Sequence, residues 1–247
     1  MGITMHRLSV VRFSPHLSAG KMAVLLASLA PVFIILFYIY FRDKYEREPL
    51  GMLIKALLLG IVIVIPVIFV ERFLMNLSPQ IGKVVEAAYQ AFVVAGFTEE
   101  LFKFLGLYLL VWKSSSFNEQ FDGIVYAVFV SLGFAGVENV LYVMDGGMQT
   151  ALIRAITAVP AHAIFGVTMG YYLGIAHRYD ELRSSYLARA LLIPILLHGI
   201  YDFILMVDIG WLLLLFIPYV IVLYFMAIKK MKRLSDSSIF KPEEGDE

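Results

Sequence analysis

The sequence predicts an all-α protein, a polytopic transmembrane helical bundle of about seven spans, and three observations carry that prediction. Hydrophobic residues make up 60% of the 247 positions and charged residues only 16%, with a mean hydropathy of +0.81, outside the soluble range. Apolar runs of the roughly 20 residues that a membrane helix needs recur along the chain. The segments between them are short and polar, Lys113 to Gln120 for example, and none is large enough to fold as a separate unit.

Taken in order, the expected spans are 22–41, 51–70, 87–112, 123–144, 151–176, 189–207 and 209–228. The first is longer than the core of a signal peptide and runs into Arg42-Asp43-Lys44-Tyr45-Glu46-Arg47 rather than a small-residue cleavage site, so it reads as a retained span. In the third, Thr98-Glu99-Glu100-Leu101-Phe102-Lys103 interrupts an otherwise apolar stretch. Asp122-Gly123 opens the fourth as an interfacial helix start, and Gly133, Ala135 and Gly136 on it permit close helix approach. The fifth carries Pro160-Ala161-His162-Ala163, with Arg154 two turns toward its outer end, and the sixth carries His198-Gly199-Ile200-Tyr201-Asp202. The domain reading is a leader over 1–20, one transmembrane domain over 21–230 and a cytoplasmic tail over 231–247 that ends acidic and is expected to be disordered.

Lys and Arg counts orient the bundle. With the N-terminus outside, the inner segments hold 12 and the outer segments 5, which places the C-terminus in the cytoplasm. In this topology Glu100, Glu138, His162, His198 and Asp202 share one band, roughly 8–20 Å below the outer surface at 1.5 Å per helical residue. Several function classes are excluded or disfavoured. Zero net charge and the lack of a basic patch interleaved with aromatics argue against nucleic acid, and the absence of cysteine removes disulfides, thiolate ligands and a cysteine nucleophile. Ser131 and Ser185 have no helical histidine partner, which disfavours a serine mechanism.

An ionisable side chain at the centre of a membrane helix costs roughly 2.5–3.5 kcal/mol, so each calls for a partner or a task. Glu99 and Lys103 stand in the favourable i,i+4 order for an ion pair. Glu100 points about 100° around the helix, with only Lys103 as a local partner, which leaves it available as a base. Glu138-Asn139 sets a carboxylate and an amide on a tightly packed helix, Asn139 more as interhelical glue than as a reactive group. His162 alone is as consistent with a packing hydrogen bond as with chemistry. His198 and Asp202 share a face at i,i+4, so the acid can hold the imidazole in one tautomer. Lys55 reads as a snorkelling side chain.

Together Glu99-Glu100-x-x-Lys103, Asp122-Gly123-Ile124-Val125-Tyr126, Phe134-x-x-x-Glu138-Asn139, His162-Ala163 and His198-Gly199-x-Tyr201-Asp202 resemble the PrsW family of bacterial intramembrane proteases, which begin the degradation of a membrane-bound anti-sigma factor. The resemblance runs from about Ser28 to Lys232 and includes the loop Arg42 to Pro49. It implies a multi-pass protein of the bacterial plasma membrane, a transmembrane anti-sigma-like substrate, and catalytic roles for Glu99, Glu100, Lys103, Glu138, Asn139, His162, His198 and Asp202. A wider group, similar to CAAX prenyl proteases and bacteriocin-processing enzymes, has a glutamate pair followed by two histidine-bearing helices; this chain departs from it with Glu138 where histidine is usual and Asp202 where asparagine often stands.

Two mechanisms stay open. In one, a buried glutamate deprotonates water without metal while His198, Asn139 or Lys103 donates to the oxyanion. In the other, Glu138, His162 and His198 hold Zn²⁺ and Glu100 is the base. Helix geometry nominates Glu100 and analogy with the wider group nominates Glu99. A transporter with a carboxylate and histidine ion relay is the rival from another class, although the internal repeats common in such proteins are not visible. A membrane protein without activity is the third reading, against which stands the concentration of polar groups in one band.

Overall fold

The computed structural model describes residues 19–242; the leader and the terminal acidic residues 243–247 therefore lie outside the described residues, apart from the leader's last two positions. Eight α-helices follow one another, with no strand among the described residues: α1 Ala19–Arg42, α2 Leu50–Met75, α3 Lys83–Tyr89, α4 Thr98–Val111, α5 Gln120–Ile156, α6 Ala158–Arg178, α7 Arg183–Met206 and α8 Phe216–Asp236. A π-helical stretch, Gln90–Phe97, joins α3 to α4 without a break. Five stretches are helical, long and apolar enough to cross a membrane: 19–42, 50–75, 120–178, 180–206 and 212–236. One of them, 120–178, contains both α5 and α6. The rod from α3 through α4 is not among them because Glu99, Glu100 and Lys103 interrupt its apolar run. Five stretches thus meet the length and composition of a span, against about seven expected, and one of the five is 59 residues long.

Helices α5 and α6 form the centre. Every residue from Phe121 to Gly136 is buried, as is most of α6, and helices that are apolar all round belong inside a bundle. The flanking helices turn large apolar side chains outward, Phe33, Ile34 and Phe37 on α1 and Ile54, Leu58, Ile65 and Phe69 on α2, as a lipid-facing surface does. Glycine lets α2 meet α5: a Cβ on Gly133 would sit 2.1 Å from the Leu57 carbonyl oxygen, and one on Gly60 2.0 Å from that of Val130. Gly133 therefore performs the close approach expected of it, whereas Gly136 faces only side chains of α1 at 3.7 Å and beyond.

Two breaks mark the junction of the fourth and fifth spans. The helix that starts at Gln120 ends at Gly147, between the expected end of the fourth span at 144 and the expected start of the fifth at 151. Gly147 is non-helical, with a φ of +68° that glycine tolerates; a second, short helix runs from there to Ile156 and breaks at Thr157. Pro160 then lies in the first turn of α6, where a missing N–H costs nothing. Arg154 lies on the short helical segment between Gly147 and Thr157, which folds back so that its guanidinium reaches Glu138 and Asn139. At the other end of the chain α8 continues to Asp236, and Ser238 Oγ donates to Glu119 Oε2 at 2.6 Å.

The segments expected on the inner side meet at one end of the bundle. Asn118 Nδ2 donates to Glu46 Oε1 at 3.0 Å, Ser238 reaches Glu119, and the Arg183 guanidinium lies 5.5 Å from the Trp112 ring centroid. At this end Asp122 Oδ2 accepts from the backbone N–H of Asn118 and Glu119, completing a capping box with Glu119 at the start of α5.

Candidate active site

The site begins with the backbone. The π-helical stretch ends at Phe97, immediately before Thr98-Glu99-Glu100, and such irregular turns recur where helices present functional side chains. Gly96 and Gly199 bring this rod against α7: a Cβ on Gly96 would lie 3.1 Å from the Gly199 nitrogen, and one on Gly199 2.2 Å from the Phe92 ring. That approach carries Glu99 and Glu100 to His198.

Lys103 is the hub, and it is fully buried. Its Nζ lies 2.9 Å from Glu99 Oε2, 2.9 Å from Glu100 Oε1 and 3.2 Å from His162 Nδ1. An ammonium has three N–H donors and no acceptor, so all three are committed and His162 Nδ1 must accept. The proton of a neutral His162 then resides on Nε2, which donates to Glu138 Oε2 at 2.8 Å. Glu138 is held in turn by Arg154 Nη2 at 3.2 Å. His198 faces an acid at each nitrogen, with Nδ1 3.0 Å from Glu100 Oε1 and Nε2 3.3 Å from Asp202 Oδ2, and it donates at both only as the imidazolium. Phe165 stacks on the His198 ring at 4.9 Å, and the Phe134 ring lies 4.1 Å from the Lys103 ammonium.

The eight residues singled out from the sequence are thus one connected network; Glu99 with Lys103 and His198 with Asp202 pair as expected, and the others find different partners. Glu100 is not left with Lys103 alone: His198 from α7 shares its Oε1, while Oε2 is buried with no hydrogen-bond partner. Asn139 spends its amide elsewhere, with Nδ2 donating to the Ser28 carbonyl at 2.7 Å and Oδ1 accepting from Arg154 Nε at 2.8 Å. Glu138 stands behind His162 instead of beside His198. One residue escaped the sequence reading. Glu71 on α2 is buried and lies within range of the charges of Glu99, Glu138, His198 and Asp202. It continues the buried face of Gly60, Val64 and Val67, a helical spacing that could have revealed it.

The donor set suits a cation. One ligand atom each from Glu99, Glu100, His162 and His198 lie within 4.8 Å of one another. Four carboxylates, Glu99, Glu100, Glu138 and Asp202, face Lys103, Arg154 and the His198 imidazolium, with His162 neutral, so one negative charge is left over. The orphaned Glu100 Oε2 points to the same deficit. Two carboxylates and two imidazoles match the oxygen and nitrogen ligands of a catalytic zinc site, and the ammonium of Lys103 already touches three of the four. The set differs from the Glu138, His162 and His198 triad expected from the sequence, because Glu138 is engaged by Arg154 and the outer nitrogen of His162.

A bundle of membrane-length helices that buries paired glutamates, an ammonium and two imidazoles at its centre defines a polytopic membrane protein with a hydrolase-like polar site. Residues 48–228 match the family described as PrsW family intramembrane metalloprotease. The chain is similar to proteins named Protease PrsW: 38% identical over 211 residues to that of Halalkalibacterium halodurans, covering 85% of this chain and 96% of the relative; 39% over 225 residues to that of Clostridioides difficile, covering 88% and 94%; and 37% over 212 residues to that of Bacillus subtilis, covering 85% and 95%. No solved structure gives a significant match. The chain belongs to the PrsW family and is a bacterial intramembrane protease, which retires the transporter reading.

Proposed function

We propose that the chain makes the first, site-1-type cut in a single-pass membrane protein of the anti-sigma factor kind, with Glu99, Glu100, Lys103, His162 and His198 as its catalytic centre. The observation that carries this reading is the convergence of Glu99, Glu100 and His162 on the Lys103 ammonium, with His198 on Glu100, from three helices in the bundle interior. Peptide hydrolysis needs an activated water, an acid for the leaving amine and stabilisation of the oxyanion. Glu99 is the better-placed base: its side chain keeps 7% accessibility, whereas Glu100 is sealed and its Oε1 is clasped by Lys103 and His198. Glu99 takes a proton from water and returns it to the amine as the peptide bond breaks. The charges of Lys103 and His198 offset the negative charge that grows on the carbonyl oxygen.

Asp202 and Glu138 hold the two imidazoles from behind and are positioning residues. Asn139 has both ends of its amide engaged, so it acts through Arg154 and not on the oxyanion. Arg154 is 16% exposed and uses Nε and Nη2 on Asn139 and Glu138, which leaves further N–H donors at the rim for a substrate carbonyl. A divalent cation held by Glu99, Glu100, His162 and His198 would supply water activation and carbonyl polarisation.

The test is cleavage of a single-pass anti-sigma-like substrate by the purified protein in proteoliposomes, with metal content measured in parallel. A discrete cut in the substrate's membrane or membrane-proximal segment is expected; the substrate assignment fails if that protein stays intact while another membrane substrate is cut. Stoichiometric zinc that is lost together with activity in His162→Ala and His198→Ala decides for the metal mechanism, and an active, metal-free, chelator-insensitive enzyme decides for the glutamate mechanism. The seven-span topology with a cytoplasmic C-terminus is part of the same proposal. It is supported by the meeting of the expected inner segments at one end of the bundle, and an extracellular signal from a reporter fused after Asp236 would overturn it.

A further inference from the structure

At the end of the bundle remote from the catalytic cluster, a cavity of about 320 Å³ opens between the C-terminal turns of α6, the first turns of α7 and the last turns of α8. Four cations line it: Arg189 from α7 and Lys229, Lys230 and Arg233 from α8. No carboxylate lines it, and among the described residues none lies within ion-pairing distance of any of the four. Cations gathered without a counter-charge repel one another. Two unit charges 8 Å apart still interact by roughly 2 kcal/mol at an effective dielectric of 20. Two of the four are seated on aromatic rings: Lys230 Nζ lies 4.3 Å from the ring centroids of both Tyr171 and Tyr172, and the Arg189 guanidinium 4.9 Å from that of Tyr186. Tyr172 and Tyr186 stack at 6.2 Å, tying α6 to α7 across the cavity. No described residue hydrogen-bonds any of these three phenol hydroxyls, so the cavity offers neutral O–H donors beside its charged N–H donors.

We propose that this cavity is a binding site for a phosphate-bearing anion, filled in the membrane by the headgroup of an anionic phospholipid. Basic pockets between transmembrane helices suit such headgroups, because the phosphate meets cations while the acyl chains stay in the bilayer. The surface beside the cavity provides for the chains: Ile221, Val222, Phe225 and Ile228 on α8 and Leu192 and Leu196 on α7 are exposed and apolar. A soluble phosphate ester would engage the same cations but make no use of this apolar strip. The three helices that the headgroup joins include those that carry His162 and His198. Occupancy therefore braces the catalytic histidines from the opposite end of α6 and α7.

The experiment measures retention of phosphatidylglycerol and of zwitterionic phosphatidylcholine by the purified full-length protein, using native mass spectrometry and thermal unfolding in detergent. The wild type should retain phosphatidylglycerol selectively and unfold at a higher temperature in its presence. The double variant Lys230→Gln/Arg233→Gln should bind it roughly thirtyfold more weakly, from the contribution of each cation near a membrane surface. Lys44→Gln/Lys113→Gln, which removes the same charge elsewhere at this end, should bind as the wild type does. Equal loss in both double variants would mean diffuse electrostatics and overturn the site. Stabilisation by inorganic phosphate alone, to the extent seen with the lipid, would overturn the lipid assignment.

Discussion

Two clusters of buried carboxylates lie toward opposite ends of the same bundle, and they are neutralised in different ways. Around Lys103 the acids are met by an ammonium, a guanidinium and two imidazoles, so Glu99, Glu100, Glu138 and Asp202 all have cationic or ring N–H partners. At the loop end, Glu48 is met by the Tyr126 hydroxyl and Asp122 by backbone N–H groups. There burial, reinforced by neighbouring Asp122 and Glu119, pushes the Asp43 carboxyl up to about 7, and burial also pushes Glu48 up to about 7. One cluster keeps its charges by importing cations, and the other relieves them by taking up protons. Only the first is poised for chemistry, which requires a charged base and positive charge near the oxyanion. The second is a joint between the 43–49 loop and the start of α5.

The comparison is broken most severely by Lys103→Met. It leaves two adjacent buried glutamates without their cation, and removing one partner of a buried ion pair costs about 3–5 kcal/mol. Unfolding in detergent should register that loss together with complete loss of cleavage. Tyr126→Phe removes only the hydroxyl that serves Glu48, at a cost of about 1–3 kcal/mol, and should leave cleavage near normal in the protein that folds. If the two variants are equally harmless to activity, the division between a chemical and a structural cluster is wrong.

What the sequence made legible follows from distance along the chain. Glu99 with Lys103 and His198 with Asp202 are helical i,i+4 neighbours, so their pairing needs no tertiary information, and the structure contains both. Glu100 with His198 and Lys103 with His162 lie 98 and 59 residues apart and depend on how the helices are rotated about their axes, which apolar membrane helices scarcely encode. That the acids and histidines share a depth could be read from span lengths; which of them touch could not. Gly146-Gly147 reads as a break and is one, but the second break at Thr157, which sets Arg154 apart from the helix of His162, has no Gly or Pro at the break itself to announce it. Glu71 was passed over because, next to Arg72 at the end of a span, it resembles a headgroup-level charge. The π-helical stretch has no composition signal.

A smaller effect sharpens the difference between a reacting group and a positioning one. Asp202→Asn keeps the shape beside His198 but removes the charge that favours the imidazolium, and a roughly 10–100-fold loss of cleavage rate is expected, as for other groups that orient a catalytic imidazole. Substrate binding should change little. A loss confined to binding would place Asp202 in substrate recognition instead.

The smallest effect belongs to the loop cluster and is a matter of pH. Asp43 and Glu48 carry pKa values near 7 in the folded protein against about 4 in the unfolded chain, so folding binds protons between those limits. The stability they contribute is complete below about pH 4 and is lost as pH rises through about 7. Asp43→Asn should flatten this part of the profile, holding the thermal midpoint within a few degrees between pH 5 and 8 while the wild type declines. A wild type whose stability rises over that interval would contradict the protonation of this cluster.

The central claim, that the glutamate pair on Lys103 is the catalytic centre and Glu99 its base, is tested most directly by Glu99→Gln, which keeps size and removes the base. Cleavage of a single-pass substrate in proteoliposomes, measured beside the unfolding temperature of the same preparation, should fall by roughly 10²–10⁴ with the fold intact. Cleavage at near the wild-type rate by a folded Glu99→Gln protein would contradict it.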